Sequence, residues 1–210
     1  LPLLPSTMIF GAVLGVLATQ RGLSLGELLF MSLTVFAGSA QFVSVDLWRE
    51  TIPSVTIIIA TAVINLRYVL IGASLRPVFR GRPLWVKICG MHMVADENWA
   101  VTMTQENLAN PGFLLGGGIF LGVVWATGNT VGYLLGGGIP DPEVYALDFA
   151  FTAVFAALTI GMWKGKVDLL PWMAAAIGSI IGHYLLPGTW SILAGAGAGV
   201  VTAALTWRDD

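Results

Sequence analysis

LLPWMAAAIGSIIGHYLLPGTWSILAGAGAGVVTAALTW, residues 169–207, contains no Asp, Glu, Lys or Arg. The hydrocarbon core of a bilayer is about 30 Å thick and takes about 20 helical residues to cross, so this stretch is long enough for two crossings. Leu186, Pro187 and Gly188 interrupt it in the middle, and a Pro-Gly pair is a turn signal. Two membrane helices joined by a sharp turn are expected, near 169–186 and 189–206. Outward from there, charge is also missing from residues 1–20, 28–45, 51–66, 107–140 and 149–163. These gaps predict further spans near 6–20, 25–46, 52–75, 112–137 and 145–163. The expected fold class is all-α: a polytopic helical membrane protein of about seven spans, one transmembrane domain over 1–210.

Composition points the same way. Of the 210 residues 56% are apolar and only 10% are charged, and the mean hydropathy is +0.82. A soluble domain carries about 25% charged residues, so that class is excluded. Ten Lys and Arg against twelve Asp and Glu give a net charge of −2, which provides no field to attract nucleic acid. The single cysteine, Cys89, rules out an intrachain disulfide framework and a thiolate zinc site, and reads as a small buried apolar residue. The chain starts on Leu1 without the basic region and cleavage site of a signal peptide, so the first segment reads as a genuine span.

Residues 84–105 are the ambiguous segment, because Lys87, His92, Asp96 and Glu97 sit within an apolar run. It is either a polar-lined span or a re-entrant element buried by its neighbours. Lys and Arg accumulate in short cytoplasmic loops, which arbitrates. If 84–105 does not cross, the basic loop of Arg76, Arg80, Arg82 and Lys87, the Lys164–Lys166 loop and Arg208 all fall inside. Asp141 and Glu143 then lie outside, with Arg49 the one misplaced cation. The non-crossing alternative is therefore preferred. An internal echo accompanies it: Gly11, Gly15, a turn near Ser24 and a Phe-rich span resemble Gly128, Gly132, Asp141-Pro142 and the span 149–161, about 117 residues on. That predicts an inverted repeat of three-helix units, 6–75 and 112–186, joined by the polar segment 84–105 and followed by a final span 189–206; duplicated cores of this kind bind substrate near the membrane midplane. The glycine triplets 116–118 and 136–138 lack the Lys-Ser/Thr of a phosphate loop, and with Gly195, Gly197 and Gly199 read as helix-packing positions.

Ionisable groups in hydrocarbon cost at least about 2.5–3.5 kcal/mol on insertion scales, so the polar residues left inside spans are the candidate working parts. Phe36, Gly38, Ser39, Gln41 and Phe42 form one cluster, where small residues let a helix break and Ser39 and Gln41 satisfy freed backbone or a ligand. Asn65, Arg67 and Tyr68 form a second. Arg67 lies nine residues, about 13 Å, from the helix end expected at Arg76, too deep to snorkel fully, so its head belongs against protein or in an aqueous cavity. Asp96 and Glu97 form a third. Adjacent helical residues cannot face one way, so one carboxylate is free to pair with Arg67 while the other meets a ligand or proton. His92 and Asp96 alone are too few for a metal site, and no cofactor is expected. His183, beside Tyr184, reads as interfacial.

FAGSAQF at 36–42, INLRYVLIGAS at 64–74 and the Asp96-Glu97 pair resemble the AzlC family, the large subunits of branched-chain amino acid exporters. The resemblance implies a cell-membrane transporter of leucine, isoleucine, valine or analogues, and a small membrane partner of the AzlD type. The Tyr68 position looks like a His in many relatives, a departure from the family pattern that argues against a proton relay there. The residues suit that substrate: Arg67 with Asn65, or amides exposed at a break near Gly38 and Ser39, for the carboxylate; Asp96 or Glu97 for the ammonium; Phe36 and Phe42 for the branched side chain. Alternatives are an ion channel or carrier using Arg67 and Asp96, a scaffolding subunit, and an intramembrane hydrolase using Ser39 with His92 or His183, for which the Gly-x-Ser-x-Gly elbow is missing.

Overall fold

The computed structural model describes residues 3–49, 51–105, 110–138, 150–161, 163, 165–186 and 190–206, and the described residues are α-helical with one short 3-10 turn at Lys166–Asp168. The chain divides into two compact units, residues 1–52 with 64–151 and residues 53–63 with 152–210. The turn at Pro187 and Gly188, Asp141, Glu143, Lys164 and Arg208 lie outside the described residues.

In the first unit α1 (Leu3–Gln20) packs along α9 (Gly112–Gly136). A Cβ added at Gly128 would meet the Met8 carbonyl at 2.5 Å, one at Gly132 would collide with Ala12, and one at Gly136 would meet Val16 at 2.9 Å. Small residues bring the two backbones together. The pairing ascends both helices together, so α1 and α9 run parallel. The expectation that these two glycine segments are oppositely oriented is therefore corrected.

The segment 25–46 is corrected as well. α2 (Leu25–Thr34) starts from a capping box in which the Ser24 hydroxyl accepts from Glu27 N and the Glu27 carboxylate accepts from Ser24 N. After Val35–Ala37, α3 (Gly38–Asp46) follows. Had the chain continued in one direction, Asp46 would lie about 30 Å from the end of α1. Instead Arg21, just past α1, pairs with Asp46 at 3.0 Å, and Ser32 of α2 faces Gln41 of α3 at 3.4 Å. Residues 25–46 form a re-entrant hairpin that leaves by the side it entered. Charge-free length cannot distinguish one crossing from two half-crossings, which is why the sequence pattern suggested a span.

α4 (Ser54–Asn65) and α5 (Arg67–Ser74) follow one another across Leu66 as one 21-residue apolar helix, long enough to span. After α6 (Arg76–Phe79) the chain turns through Gly81, φ +72°, and makes a second hairpin from α7 (Leu84–His92) and α8 (Asp96–Met103). α8 descends beside α5: Asp96 meets Arg67, Trp99 donates to Ser74, and Met103 packs against the cluster of Ile71, Leu75, Val78, Phe79, Val94 and Leu114. α7 climbs from the basic loop, with Gly90 against Phe79 and Met91 against Gly72. This is the re-entrant alternative for 84–105, entering from the end opposite to α2–α3. Helices of eight to ten residues reach about 12–15 Å, half the hydrocarbon thickness, and the two tips meet: His92 Nε2 donates to Leu33 O at 2.8 Å and its ring lies 6.0 Å from Phe36.

Cys89 is exposed on α7 rather than buried. It shares its helix with exposed Trp85 and Ile88, an apolar face that suits lipid contact. In the second unit, which also contains most of α4 and of α10 (Ala150–Gly161), α11 (Leu169–Leu185) and α12 (Trp190–Thr206) pack antiparallel through small residues. Gly199 lies against Pro171 and Ala175, and Gly182 against Ser191 and Ala194. His183 sits near the end of α11, its ring 5.5 Å from that of Tyr184.

Candidate functional site

Each hairpin tip leaves irregular backbone near the middle of the membrane, where unpaired peptide groups cost several kcal/mol. Two side-chain amides resolve this in the same way. Gln41, in the first turns of α3, donates through Nε2 to Val35 O, while its Oε1 accepts from Trp125 Nε1 at 2.9 Å. Asn98, in the first turn of α8, donates to Met93 O at 2.8 Å and accepts from Ala95 N at 2.7 Å. The N-caps Ala37 and Ala95 carry no polar side chain, so the first-turn amides of α3 and α8 point toward the tips without the usual hydroxyl or carboxylate cap.

Arg67 bridges the two hairpins. Its Nη2 donates to Ser39 Oγ of α3 at 2.8 Å, its Nη1 lies 3.0 Å from Asp96 Oδ2 of α8, and its guanidinium sits 5.3 Å from the centre of the Tyr68 ring. The side chain is 30% exposed, so its charge is held by partners within the protein. Arg67 Nε and Asn65 Oδ1 are buried without a hydrogen-bond partner, leaving one donor and one acceptor open beside the clamp.

A cavity of about 80 Å³ lies between the tips. α1 contributes Thr7 and Phe10; the first hairpin Ser32, Phe36, Ala37, Gly38 and Gln41; the second Ala95 and Glu97; α9 Leu121 and Trp125. Of the residues singled out from sequence, Phe36, Gly38, Gln41 and Glu97 line this space. Ser39, Arg67 and Asp96 form the adjoining clamp. Phe42 is buried and meets Trp125 edge-on at 6.4 Å, behind the wall. Asn65 lies next to the clamp in sequence, and Tyr68 lines a different cavity. Asp96 and Glu97 diverge: the first is committed to Arg67, the second faces the space. Thr7, Phe10, Ser32, Leu121 and Trp125 were not singled out from sequence. Neutral residues in apolar helices give no signal there, although Trp125 and Asn129 are polar-tipped groups inside a charge-free span. Asn129 is fully buried; with its amide oriented to satisfy both ends, it donates to Gly11 O at 2.8 Å and accepts from Ser32 Oγ at 2.7 Å.

Chemically, the cavity offers a carboxylate, the amide end of a short helix and an aromatic-aliphatic wall. Ser39 Oγ accepts from a guanidinium, a group that cannot take up a proton, so this contact supplies no general base. Among the described residues no three His, Cys, Asp or Glu side chains are grouped to hold a metal ion.

The family model described as AzlC protein matches residues 2–139, which span α1 to α9. The branched-chain amino acid transport protein AzlC of Bacillus subtilis is 24% identical over 92% of this chain and 79% of its own length. A membrane protein of Archaeoglobus fulgidus is 31% identical over 72% of this chain and 67% of its own. The inner membrane protein YgaZ of Escherichia coli is 25% identical over 98% and 86%. No solved structure matches the chain.

Proposed function

The chain belongs to the AzlC family and is a multi-pass protein of the cell membrane, and on that premise we propose that it is a secondary transporter exporting branched-chain amino acids. Leucine, isoleucine, valine or close analogues are its substrates, and a small membrane subunit of the AzlD type works with it. The observation that carries this reading is the cavity between the tips, which pairs an acidic group with an apolar wall. Glu97 meets the substrate ammonium. Phe10, Phe36, Leu121 and Trp125 take the branched side chain, and the α3 amides at Gly38 receive the carboxylate, as helix N-termini receive anions in other broken-helix transporters.

Alternating access follows from the hairpins. One enters from each face, so moving either tip opens the cavity to that face alone, and Arg67 couples the two by holding Ser39 and Asp96 together. The repeat unit we propose is a hairpin with the helix after it, 25–74 and 83–132. Val35 and Met93, Ala37 and Ala95, Pro53 and Pro111, and Ser54 and Gly112 each lie 58 positions apart.

The test is counterflow of labelled leucine, isoleucine and valine into liposomes holding the chain with and without a small subunit, with lysine and glutamate as controls. Uptake of the branched-chain set, lost in Glu97→Gln and retained in an exposed control such as Arg49→Gln, is expected. No stimulation by any of the three would refute the reading.

A further inference from the structure

We propose that the basic end of the first unit binds the headgroup of an anionic phospholipid. A second cavity, about 1330 Å³, opens between α5, α6 and α7, and Arg76, Arg80 and Lys87 line it. All three are exposed, and among the described residues the ion pairs of this unit, Arg21–Asp46 and Arg67–Asp96, involve none of them. Three exposed cations around one hollow form a site for phosphate oxygens, with Arg supplying paired donors and Lys a point charge.

Occupant class is set by the rest of the surface. The hollow runs from the cations past Val69 toward Tyr68; Val69 in its lining, and Leu70, Trp85 and Ile88 on the same two helices, α5 and α7, are between 60% and 76% exposed. A free phosphate or a soluble anion has no use for that apolar wall. A phospholipid has: its acyl chains lie along α5 and α7 while its headgroup meets the cations. Trp85, in the first turn of α7, suits the interfacial level at which a headgroup sits. The basic loop is the one that the distribution of Lys and Arg assigns to the cytoplasm, and basic pockets between membrane helices on that side take acidic headgroups. None of these cations touches the cavity between the hairpin tips, so the proposal stands apart from the choice of transported substrate.

The experiment uses the full chain in neutral detergent, titrated with phosphatidylglycerol or with phosphatidylcholine of identical acyl chains, bound lipid being read by native mass spectrometry. Each Lys or Arg near an anionic lipid is worth about fivefold, so three give roughly a hundredfold preference for phosphatidylglycerol. Arg76→Gln/Arg80→Gln/Lys87→Gln should lose that preference, and Arg21→Gln, at the other end of the unit, should keep it. Equal retention of the two lipids by the wild-type chain would overturn the proposal. So would a monodisperse triple variant that binds phosphatidylglycerol as the wild type does, or displacement of the lipid by millimolar inorganic phosphate. Should the triple variant not fold, the wild type alone decides. Its preference must collapse between about 0.01 M and about 1 M salt, as the screening length falls from about 30 Å to about 3 Å, and a salt-independent preference refutes the site.

Discussion

Consider the three charge-removing variants of the clamp, Arg67→Gln, Asp96→Asn and the two together. Arg67 makes two bonds to the hairpins, at 2.8 Å to Ser39 and 3.0 Å to Asp96, and the Arg67 and Asp96 side chains are 30% and 47% exposed. A hydrogen bond to a charged group contributes about 1.5–3 kcal/mol when shielded, and ion pairs reached by water contribute about 1 kcal/mol or less. The partial exposure places the Arg67–Asp96 coupling between these, near 1 kcal/mol. Arg67→Gln also leaves Asp96 as an uncompensated carboxylate at the tips. Complete burial would make that cost about 3–5 kcal/mol, and the exposure of Asp96 brings it to about 2 kcal/mol. Asp96→Asn leaves Arg67 with Ser39 and the Tyr68 ring, at about 1 kcal/mol. The double variant removes both charges together, so it should be no less stable than Arg67→Gln alone, in place of the roughly 3 kcal/mol of an additive sum. Reversible unfolding in mixed micelles gives the four stabilities, and counterflow on the same samples gives the transport rates. Strictly additive losses would show that Arg67 and Asp96 do not act on one another, and the coupling of the two hairpins through Arg67 would be wrong.

Gln41→Leu removes the bonds to Val35 O and from Trp125 Nε1, while Val35 O keeps Ala37 N and Trp125 Nε1 keeps the Asn129 amide oxygen; at about 1 kcal/mol net per lost bond the loss is about 2 kcal/mol, visible as faster amide exchange at 35–37, and unchanged exchange would remove Gln41 as the tip's closing residue. Gly132→Ala puts a methyl into the Ala12 backbone and should cost about 3 kcal/mol by overpacking; a wild-type unfolding midpoint would mean that α1 and α9 are further apart than described. With Cys89→Ala as background, cysteines at Arg21 and Arg49 should react with an impermeant maleimide from the same side of the membrane and one at Arg80 from the other, since residues 25–46 return to the side they left. Labelling of positions 21 and 49 from opposite sides would restore the single crossing.

Membrane residence, helicity and the polar clusters were legible because hydrocarbon makes each charged group conspicuous. Arg67, Asp96 and Glu97 stood out for that reason, and three of the four cavity-lining residues singled out lie within 36–41. The cavity's other walls left no trace, since Phe10 and Leu121 look like any lipid-facing residue until a neighbouring helix is known. Cys89 departs from a rule made for soluble proteins: small apolar residues go inside there, whereas here the surrounding lipid is as apolar as the interior. The hairpin at 25–46 has the length of a single span, so length alone hides it. A signal did exist in the pairing of Arg21 with Asp46, two charges at the two ends of an apolar run, but nothing in the sequence says that the ends of a run meet.

The echo at about 117 residues and the 58-residue register of the hairpins are best taken together. If a unit of about 58 residues turns over in the membrane at each step, two steps cover about 116 residues and restore the original direction. Glycine faces one step apart are then opposed and those two steps apart run parallel. α1 and α9, matched at about 117, do run parallel, and the hairpins, matched at 58, do enter from opposite ends. Similarity was detected at the longer distance because Gly11, Gly15, Gly128 and Gly132 pack against each other and share one small-residue requirement. At the shorter distance the shared requirement is looser: any amide that reaches the tip carbonyl serves, so Gln41 on one side and Asn98 on the other do the same job without looking alike. Function sharpens the difference between the halves. Where α3 begins with Gly38 and Ser39, α8 begins with Asp96 and Glu97. A symmetric pair of tips would present the same chemistry from both faces, whereas this pair places the acidic groups on one tip and leaves the other uncharged, the asymmetry that the proposed binding of an ammonium and a carboxylate from opposite sides calls for.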